Sequence, residues 1–331
     1  MKIVRFYECG EPDVLRLEET AIPHPKAGQV LLQVEASGVN YTDVDHRRSS
    51  SASREPLTFP STPGVEVVGV IVEAGEGATA LPVGTRVIGL LSHGGYAEYV
   101  AVPAASIIPV PPGLDAAQAV AIPLQGLTAY HILATFGHIQ PGERILIQAA
   151  AGGVGTLAVQ LARLLEAGQI IATASTPAKL DLALSLGADV GINYTQPDWT
   201  TQVLQATDGK GVDLMLDMIG GVQFSENFTC LAPLGRIVTF GKASGQRAVI
   251  DSEKLTARCS TVTGFYAGYA GTRPDLVVPA LKKLFQYVLA GQLHVQVHHR
   301  FPLEEAAAAH RLMETRQSTG KIVLLPGWHK N

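Results

Sequence analysis

The amino-acid sequence predicts an α/β protein that combines a β-rich part with a doubly wound parallel sheet. Up to about Pro123, short runs rich in valine, isoleucine and tyrosine alternate with glycine and proline turns, which is typical of a compact all-β barrel or sandwich. From residue 124 onward, apolar strand-like runs alternate with segments of helical spacing. That alternation predicts parallel strands joined by crossover helices.

The predicted elements follow in chain order. In the β-rich part the strands are 29–35, 65–73, 85–89, 96–102 and 106–110, and no long amphipathic helix is expected before residue 115. In the second part the strands are 144–149, 169–174, 190–194, 212–217 and 236–240, and the helices are 154–165, 179–186 and 199–207. The last helices, 276–289 and 303–315, and the strand 321–325 are too few to form their own core. We therefore expect this tail to pack on the β-rich part, which gives domains of 1–123 with 266–331, and 124–265.

Composition excludes several classes of protein. Of the 331 residues, 25 are Lys or Arg and 29 are Asp or Glu, so the net charge is −4, and the sequence has no basic stripe for nucleic-acid phosphates. Residues 145–162 carry no charged side chain and have the length of a membrane span. The interval holds Gln148, Gly152, Gly153, Gly155 and Gln160, however, so we predict neither a membrane segment nor a nucleic-acid partner.

The start of the chain and its cysteines favour a reduced, cytoplasmic protein. The first ten residues, MKIVRFYECG, contain no apolar stretch long enough for a signal peptide. Cys9, Cys230 and Cys259 are widely spaced and form no CxxC pair. An odd number of distant cysteines does not suggest a disulfide framework.

A glycine-rich turn joins the predicted strand 144–149 to the predicted helix 154–165. It reads AAGGVG over 150–155, a variant of the G-x-G-x-x-G fingerprint with alanine in the first glycine position. Gly152 would let the backbone approach a pyrophosphate, Gly155 would let helix and strand pack closely, and the helix N-terminus would offer amide donors. We therefore predict a dinucleotide site at Gly152, Gly153, Val154 and Gly155, with a purely structural glycine turn as the alternative.

The second strand of this nucleotide-binding unit predicts which dinucleotide binds. NAD-binding units place Asp or Glu about 20 residues after the turn, where it binds the ribose 2′-hydroxyl. Here Ser175 stands at that position, and no carboxylate follows until Asp181. Ser175, Thr176 and Lys179 could instead hydrogen-bond and neutralise a 2′-phosphate. NADP(H) is therefore favoured over NAD(H), although Lys179 taken alone could be an ordinary solvated lysine.

Short segments spread over nearly the whole chain carry a resemblance to a known family. They are 38–43 (GVNYTD), 63–66 (PGVE), 95–98 (GYAE), 126–130 (GLTAY), 149–155 (AAAGGVG), 192–194 (INY), 240–245 (FGKASG) and 320–324 (GKIVL). In this order they resemble the zinc-independent quinone oxidoreductases, the zeta-crystallin-like branch of the medium-chain dehydrogenase/reductases. The resemblance implies a GroES-like catalytic domain, here the β-rich part with the tail, and a Rossmann domain that binds NADP(H).

The resemblance also implies a set of cofactor-binding residues beyond the glycine turn. On the nicotinamide side these are Asn40, Thr128 and Tyr130; around the 2′-phosphate and adenine, Ser175, Lys179 and Tyr194; along the cofactor trough, Phe240, Gly241 and Ser244; and as further candidates, Gly264, Phe265, Tyr266 and Arg316. Plainer interpretations remain for four of them: a helix-face aromatic (Tyr130), a core residue (Phe240), a turn cap (Asn40) and a surface charge (Arg316).

The resemblance implies that no metal is bound. Zinc-dependent relatives carry Cys where this sequence has Asn40, and Gly-His-Glu where it has Gly64-Val65-Glu66. Asn and Val do not suit a catalytic zinc site built from Cys, His and carboxylate. The adjacent His298 and His299 would point to opposite faces of a strand and cannot share a metal ion.

Together, the residues and the resemblance predict an NADPH-dependent, metal-independent reductase that transfers a hydride to a quinone. A conjugated acceptor delocalises the incoming charge without a Lewis acid. Tyr41, Thr42 or backbone amides could stabilise the developing oxyanion, and Tyr41 or solvent could supply a proton. The alternatives are a reductase of α,β-unsaturated carbonyl compounds, and an NADPH-binding structural or sensing protein with little turnover. The resemblance also suggests a homodimer paired along the edge of the nucleotide-fold sheet.

Overall fold

The computed structural model describes residues 1–48, 57–78 and 81–327, and the chain forms two compact units. Unit 1 combines Met1–Pro123 with Gln296–Asn331, and unit 2 is Leu124–Val295. The chain therefore leaves unit 1 once and returns to it near its carboxyl end.

Strands dominate the first part of unit 1, as the runs punctuated by glycine and proline predict. The elements are β1 (Lys2–Arg5), β2 (Arg16–Glu19), β3 (Gln29–Val39), α1 (Tyr41–Arg48), β4 (Glu66–Ala74), β5 (Arg86–Leu90), β6 (Tyr99–Pro103), β7 (Ile107–Pro109) and α2 (Ala116–Ala119). Strand β3 pairs with both β4 and β6, and its Val30 and Leu32 are fully buried. Helix α1, with the sequence YTDVDHRR, was not predicted because it is short and mostly polar.

Unit 2 alternates strand and helix. Its elements are α3 (Leu127–Tyr130), β8 (Arg144–Ile147), α4 (Gly153–Leu164), β9 (Gln169–Ala174), α5 (Pro177–Ser185), β10 (Val190–Asn193), α6 (Trp199–Ala206), β11 (Val212–Asp217), α7 (Gln223–Glu226), β12 (Leu231–Thr239), α8 (Ser252–Arg258), β13 (Thr261–Gly264), α9 (Ala267–Ala270) and α10 (Pro274–Leu289). The strands run parallel in the order β10-β9-β8-β11-β12-β13. The predicted doubly wound parallel sheet is confirmed.

The core of unit 2 explains why its strands read as continuous apolar runs. Leu146 of β8, Ile171 of β9 and Ile237 of β12 are fully buried. They belong to a hydrophobic cluster that also includes Trp199 of α6. Strands of a parallel sheet are covered by helices on both faces, so both faces must be apolar. The charge-free interval 145–162 is accordingly a strand, a turn and a helix. No helix in the described ranges combines the length and the hydropathy that crossing a bilayer requires.

The carboxyl-terminal part of unit 1 contains β14 (Val297–Pro302), α11 (Ala306–Glu314) and β15 (Lys321–Leu325). Strand β15 pairs antiparallel with β3, with Ile322 opposite Val39. The sheet order is β14-β15-β3-β4-β5-β7, and β6 pairs with β3 beside it. The tail strand therefore joins the β-rich sheet, as expected from the shortage of elements for a separate core.

The second boundary between the units differs from the sequence-based one. The first lies between Pro123 and Leu124 in both cases, but the chain returns to unit 1 at Gln296 rather than at residue 266. Two contacts hold the intervening segment in unit 2. Helix α10 packs against α3, and the Gln160 side chain in α4 binds both backbone groups of His294, at 3.0 and 2.8 Å.

Candidate functional site

The carboxyl edge of the unit 2 sheet gathers most of the residues that the sequence singles out. Because all its strands are parallel, the loops that follow them lie along one edge. The candidates that follow strand ends are Gly152, Gly153, Val154 and Gly155 (after β8), Ser175 (after β9), Tyr194 (after β10), Phe240, Gly241 and Ser244 (after β12), and Phe265 and Tyr266 (after β13). Strand β8 lies between β9 and β11, where the winding reverses, and ligands of open α/β sheets bind at such switch points.

The turn after β8 is built around a close approach of helix and strand. The Gly152 amide donates to the Ala149 carbonyl at 2.9 Å, and Ala149 has a φ of 48°, in the left-handed region. A Cβ at Gly155 would overlap the Ala149 carbonyl oxygen and lie 2.7 Å from the Ala150 Cα atom. Glycine at 155 is therefore required for α4 to begin against this turn.

The start of α4 leaves room and donors for an anion. A Cβ at Gly152 would lie 3.3 Å from the Ala149 carbonyl oxygen, a tight contact, and no other heavy atom would lie within 4 Å, so the side of Gly152 away from Ala149 is uncovered. The amides of Gly153, Val154 and Gly155 are in the first helical turn and have no acceptor within the helix. Open space beside free amides at the positive end of a helix fits a pyrophosphate.

Gln125 contributes to this turn, and sequence reasoning missed it. A Cβ at Gly153 would overlap the Gln125 side-chain amide, so this buried side chain lies directly against the glycine backbone. Gln125 lies two residues before the start of α3, inside an apolar helical segment. A single glutamine within this apolar stretch is the one signal in the sequence that could have drawn attention to it.

The ends of β9 and β10 bring together the residues predicted to select the cofactor. Ser175 is partly buried, and Thr176 is the N-cap of α5, where its carbonyl accepts the Lys179 amide at 3.2 Å. The Tyr194 amide donates to the Ala174 carbonyl at 3.3 Å, which ties the two strand ends together. Burial lowers the pKa of the partly buried Lys179 ammonium, so a phosphate partner would restore the stability of its charge.

The loop 240–245 is hydrogen-bonded to the loop after β11. The Phe240 amide donates to the Asp217 carbonyl, and the Ser244 amide donates to the Ile219 carbonyl, at 2.9 and 3.0 Å. The Ser244 hydroxyl lies within hydrogen-bond distance of the Gln246 carbonyl, at 3.3 Å, and accepts from the Gln246 amide at 3.2 Å. Phe240, Gly241 and Ser244 therefore sit on a braced loop at the strand ends, with Gly241 exposed and Phe240 partly exposed.

Asp217 braces these loops, and sequence reasoning did not find it. The carboxylate is fully buried and accepts from the Thr239 hydroxyl at 3.0 Å and the Asn227 amide at 3.4 Å. Burial raises the pKa of this carboxyl group. Its hydrogen bonds join the ends of β11 and β12, so its role is structural.

The aromatic candidates after β13 and on α3 differ in exposure. Phe265 is buried, with its ring stacked on His131 at 6.2 Å between centroids and edge-on to Phe136 at 5.3 Å. Tyr266 is 72% exposed. On α3, Thr128 is buried and Tyr130 is partly exposed beneath the Lys283 ammonium. The Phe265 ring is thus committed to packing, whereas Tyr266 remains accessible.

In unit 1, the junction of β3 and α1 holds Asn40 by its backbone. The Asn40 amide donates to the Asp43 carboxylate at 2.8 Å, and the Asp43 amide donates back to the Asn40 carbonyl at 3.0 Å. This reciprocal pair caps the helix. The second Asp43 oxygen accepts the Gly64 amide at 3.0 Å. Burial raises the pKa of Asp43 to about 7.

The side chain of Asn40 lies in a buried polar cluster with Glu66 and Lys321. Its Nδ2 donates to Glu66 Oε1 at 2.8 Å, and its Oδ1 accepts from Lys321 Nζ at 2.9 Å. Lys321 and Glu66 form an ion pair of 2.6 Å, and their side chains are 1% and 0% exposed. Lys321 was predicted only as the first residue of an apolar strand, so its partnership with Glu66 is a finding of the structure.

A chain of hydrogen bonds extends from Asp43. The Tyr96 hydroxyl lies 3.4 Å from the Asp43 carboxylate and 3.0 Å from His310 Nε2. Burial lowers the pKa of His310 to about 3 and raises the pKa of Tyr96 well above its usual value. Both groups are therefore neutral at physiological pH, and they link α11 to the β3–α1 junction.

The remaining candidates of unit 1 lie at the ends of its helices. Tyr41 begins α1 and is partly buried, which raises the pKa of its hydroxyl and keeps the phenol protonated. Thr42, next to it, is exposed. Arg316 is exposed after α11 and has a left-handed φ of 57°. A protonated Tyr41 can donate a hydrogen bond to a developing oxyanion but is a weak acid.

Comparison with known proteins gives two family matches. Residues 26–112 match the model of the alcohol dehydrogenase GroES-like domain. Residues 153–283 match the model described as zinc-binding dehydrogenase. The first segment lies in unit 1 and the second in unit 2.

Whole-chain relatives are similar over nearly their full length. A 2-haloacrylate reductase from Burkholderia sp. is 39% identical, with 97% of this chain and 98% of the relative covered. A probable quinone oxidoreductase from Schizosaccharomyces pombe is 34% identical, with 98% and 96% covered. The crystal structure of Escherichia coli quinone oxidoreductase complexed with NADPH has a TM-score of 0.92 at 30% identity, with 98% and 100% covered.

The zinc in the second family description does not fit the residues of this chain. The Lys321 ammonium already contacts both Asn40 and Glu66, and a second cation beside it would be repelled. Across 1–48, 57–78 and 81–327, no three His, Cys, Asp or Glu side chains are grouped to hold a metal ion. His298 Nδ1 is hydrogen-bonded to the Thr319 hydroxyl, and the Thr319 backbone amide donates to His299 Nε2.

Proposed function

The chain belongs to the medium-chain dehydrogenase/reductases of the quinone oxidoreductase type, and on this basis we propose that it is a metal-independent, NADPH-dependent quinone reductase. The observation that carries the proposal is the glycine turn at the switch point of the unit 2 sheet, with Ser175 and Lys179 at the next strand end in place of a carboxylate. A related crystal structure is a complex with NADPH. When bound, NADPH supplies the hydride, and the chain orients and shields it.

We propose that residues of unit 2 make the main contacts with NADP(H). The first-turn amides of α4 suit the pyrophosphate, and Gly152 gives its oxygens room. Lys179 and Ser175 suit the 2′-phosphate, with Tyr194 beside the neighbouring strand end for the adenine. The braced loop with Phe240, Gly241 and Ser244, together with Gly264 and Tyr266, extends the same edge. The buried Phe265 would act through packing.

Unit 1 supplies the other candidates. Asn40 is held by its backbone and its side chain, so it is preorganised to hydrogen-bond at a fixed position. Tyr41 and Thr42 offer hydroxyl donors for the oxyanion that develops as a carbonyl acceptor is reduced. The resemblance implies further cofactor contacts by Arg316 and, in unit 2, by Thr128 and Tyr130, and we propose these contacts as well.

A reductase of conjugated alkenes is the second candidate, because the 39%-identical relative is a 2-haloacrylate reductase. Quinones and α,β-unsaturated carbonyl compounds share one property: a hydride can add to carbon while the charge is delocalised onto oxygen. Hydrogen-bond donors can stabilise that oxyanion in either case. The two candidates therefore differ in the shape of the acceptor.

An acceptor panel separates these functions. With NADPH as donor, we expect 1,4-benzoquinone and 1,4-naphthoquinone to be reduced, and 2-alkenals and 2-chloroacrylate to react more slowly, measured as loss of absorbance at the nicotinamide band. Turnover of the alkenes without turnover of the quinones would replace the first candidate by the second. Binding of NADPH without oxidation by any acceptor would show a binding protein instead.

Replacing Lys179 by alanine tests the cofactor-selecting position. We expect Lys179→Ala to weaken NADPH binding about tenfold, because a charge-assisted hydrogen bond is lost, and NADH binding by less than about twofold. Fluorescence titration measures both dissociation constants. Lys282→Ala, on the exposed side of α10, is the matched control and should change neither. An equal loss for both nucleotides would mean that Lys179 does not meet the 2′-phosphate.

The oligomeric state implied by the resemblance is a homodimer paired along the edge of the unit 2 sheet. Strand β13 ends the strand order on one side, and an uncovered edge strand is a template for pairing with a second chain. Val249 and Ile250, 77% and 49% exposed, add apolar surface to unit 2.

Light scattering during gel filtration tests the dimer. The expected mass is twice the 34.9 kDa of one chain. A single species with the mass of one chain at micromolar concentration would argue against pairing.

A cytoplasmic location stays a prediction. The three cysteines carry free thiols, with Cys9 and Cys259 exposed and Cys230 buried. Exposed free thiols are usual in a reducing compartment, which is where a pool of reduced nucleotide would also be available.

A further inference from the structure

The buried ion pair of unit 1 is a poor source of stability, which suggests that it has another role. Lys321 opens β15 and Glu66 opens β4, and both side chains are almost completely buried. Removing two charges from water carries a large desolvation penalty, and apolar residues of similar size are often as stabilising or more so. The position of this pair, beside Asn40, suggests what it does.

We propose that Lys321 is a positioning residue of the reductase, which together with Glu66 fixes the orientation of the Asn40 side-chain amide; this inference rests on the proposed function. An ammonium can only donate hydrogen bonds, and a carboxylate can only accept them. Asn40 Oδ1 faces Lys321 at 2.9 Å, and Nδ2 faces Glu66 at 2.8 Å. A flipped amide would place donor against donor and acceptor against acceptor, so one orientation is enforced.

The ammonium is fully engaged in this arrangement. Its three protons are matched by Glu66 Oε1 at 2.6 Å, Asn40 Oδ1 at 2.9 Å and the Val39 carbonyl at 3.3 Å. A cation bound to the amide oxygen polarises the amide and makes its N–H groups stronger donors in a low-dielectric interior. Lys321 therefore orients Asn40 and strengthens the hydrogen bond that Asn40 Nδ2 donates to Glu66.

The backbone is shaped to admit the pair. A Cβ at Gly38 would overlap Glu66 Oε1 and lie 2.8 Å from Lys321 Nζ. The Asn40 backbone is separately fixed by Asp43. The end of β3 is thus organised so that a charged pair from two other strands reaches the side chain of one asparagine.

The test removes both charges, so that neither is left buried alone. In the variant Lys321→Met/Glu66→Met we expect kcat for quinone reduction to fall at least about tenfold, the effect of losing one charge-assisted hydrogen bond in the transition state. The NADPH dissociation constant should change by less than about twofold. The matched control is Arg86→Met/Glu35→Met, which removes an exposed ion pair of 2.7 Å from the same sheet and should leave kcat unchanged.

A double-mutant cycle distinguishes positioning from general structural support. If Lys321 and Glu66 act through Asn40, their removal in an Asn40→Ala background should lower kcat by less than about twofold further. An equal loss in both backgrounds, or an unchanged kcat in the Lys321→Met/Glu66→Met variant, would overturn the proposal.

A readout without cofactor keeps this inference separate from the proposed function. In the nitrogen-15 NMR spectrum of the protein alone, the Asn40 side-chain signals are identified by their loss in Asn40→Ala. We expect them to be slowly exchanging in the wild type, and to shift and exchange faster in Lys321→Met/Glu66→Met. Signals that do not move would contradict the positioning role. A wild type that oxidises no NADPH with any acceptor would refute the proposed function, while these spectra would still decide whether the pair holds Asn40.

Discussion

The close approach of α4 to the turn after β8 is the constraint on which the proposed nucleotide site at the carboxyl edge of the unit 2 sheet depends. Only glycine at 155 lets the helix begin against the Ala149 carbonyl, and only a helix that begins there points its free amides to the carboxyl edge of the sheet. The neighbouring strand ends then place Ser175, Lys179 and the loop 240–245 along the same edge. If the proposed function holds, the lack of a side chain at residue 155 decides where the phosphates of the dinucleotide bind.

Unit 1 also depends on a glycine, Gly38, but for a different reason. Gly38 leaves the volume in which Glu66 and Lys321 form their buried pair, and that pair takes hold of Asn40. In unit 2 the glycine serves a backbone approach, and in unit 1 it serves a charged cluster. Because the ammonium contacts both Asn40 and Glu66, electrostatics disfavour a metal ion beside them. In the proposed reaction, hydrogen-bond donors would stabilise the developing charge instead.

Local patterns were predictable from the sequence, and long-range partnerships were not. The glycine turn, the parallel strands and the missing carboxylate at Ser175 are set by neighbours in the chain, so periodicity and spacing revealed them. Lys321 and Glu66 are 255 residues apart, and an apolar strand that starts with lysine gives no hint of its partner. Helix α10 was recognised as a helix but placed in the wrong unit, since an amphipathic pattern does not say which core the apolar face meets. Gln125 was missed for the same reason: its contact with Gly153 depends on how two helices pack.

Direct binding of nicotinamide nucleotides to the wild-type protein tests the central claim most directly. Isothermal titration calorimetry with NADPH and with NADH reports affinity and stoichiometry without relying on any acceptor. The account predicts saturable binding of one NADPH per chain, about tenfold or more tighter than NADH, because Lys179 and Ser175 replace a carboxylate that would repel the 2′-phosphate. No saturable binding of NADPH, or NADH binding as tight as NADPH, would contradict it.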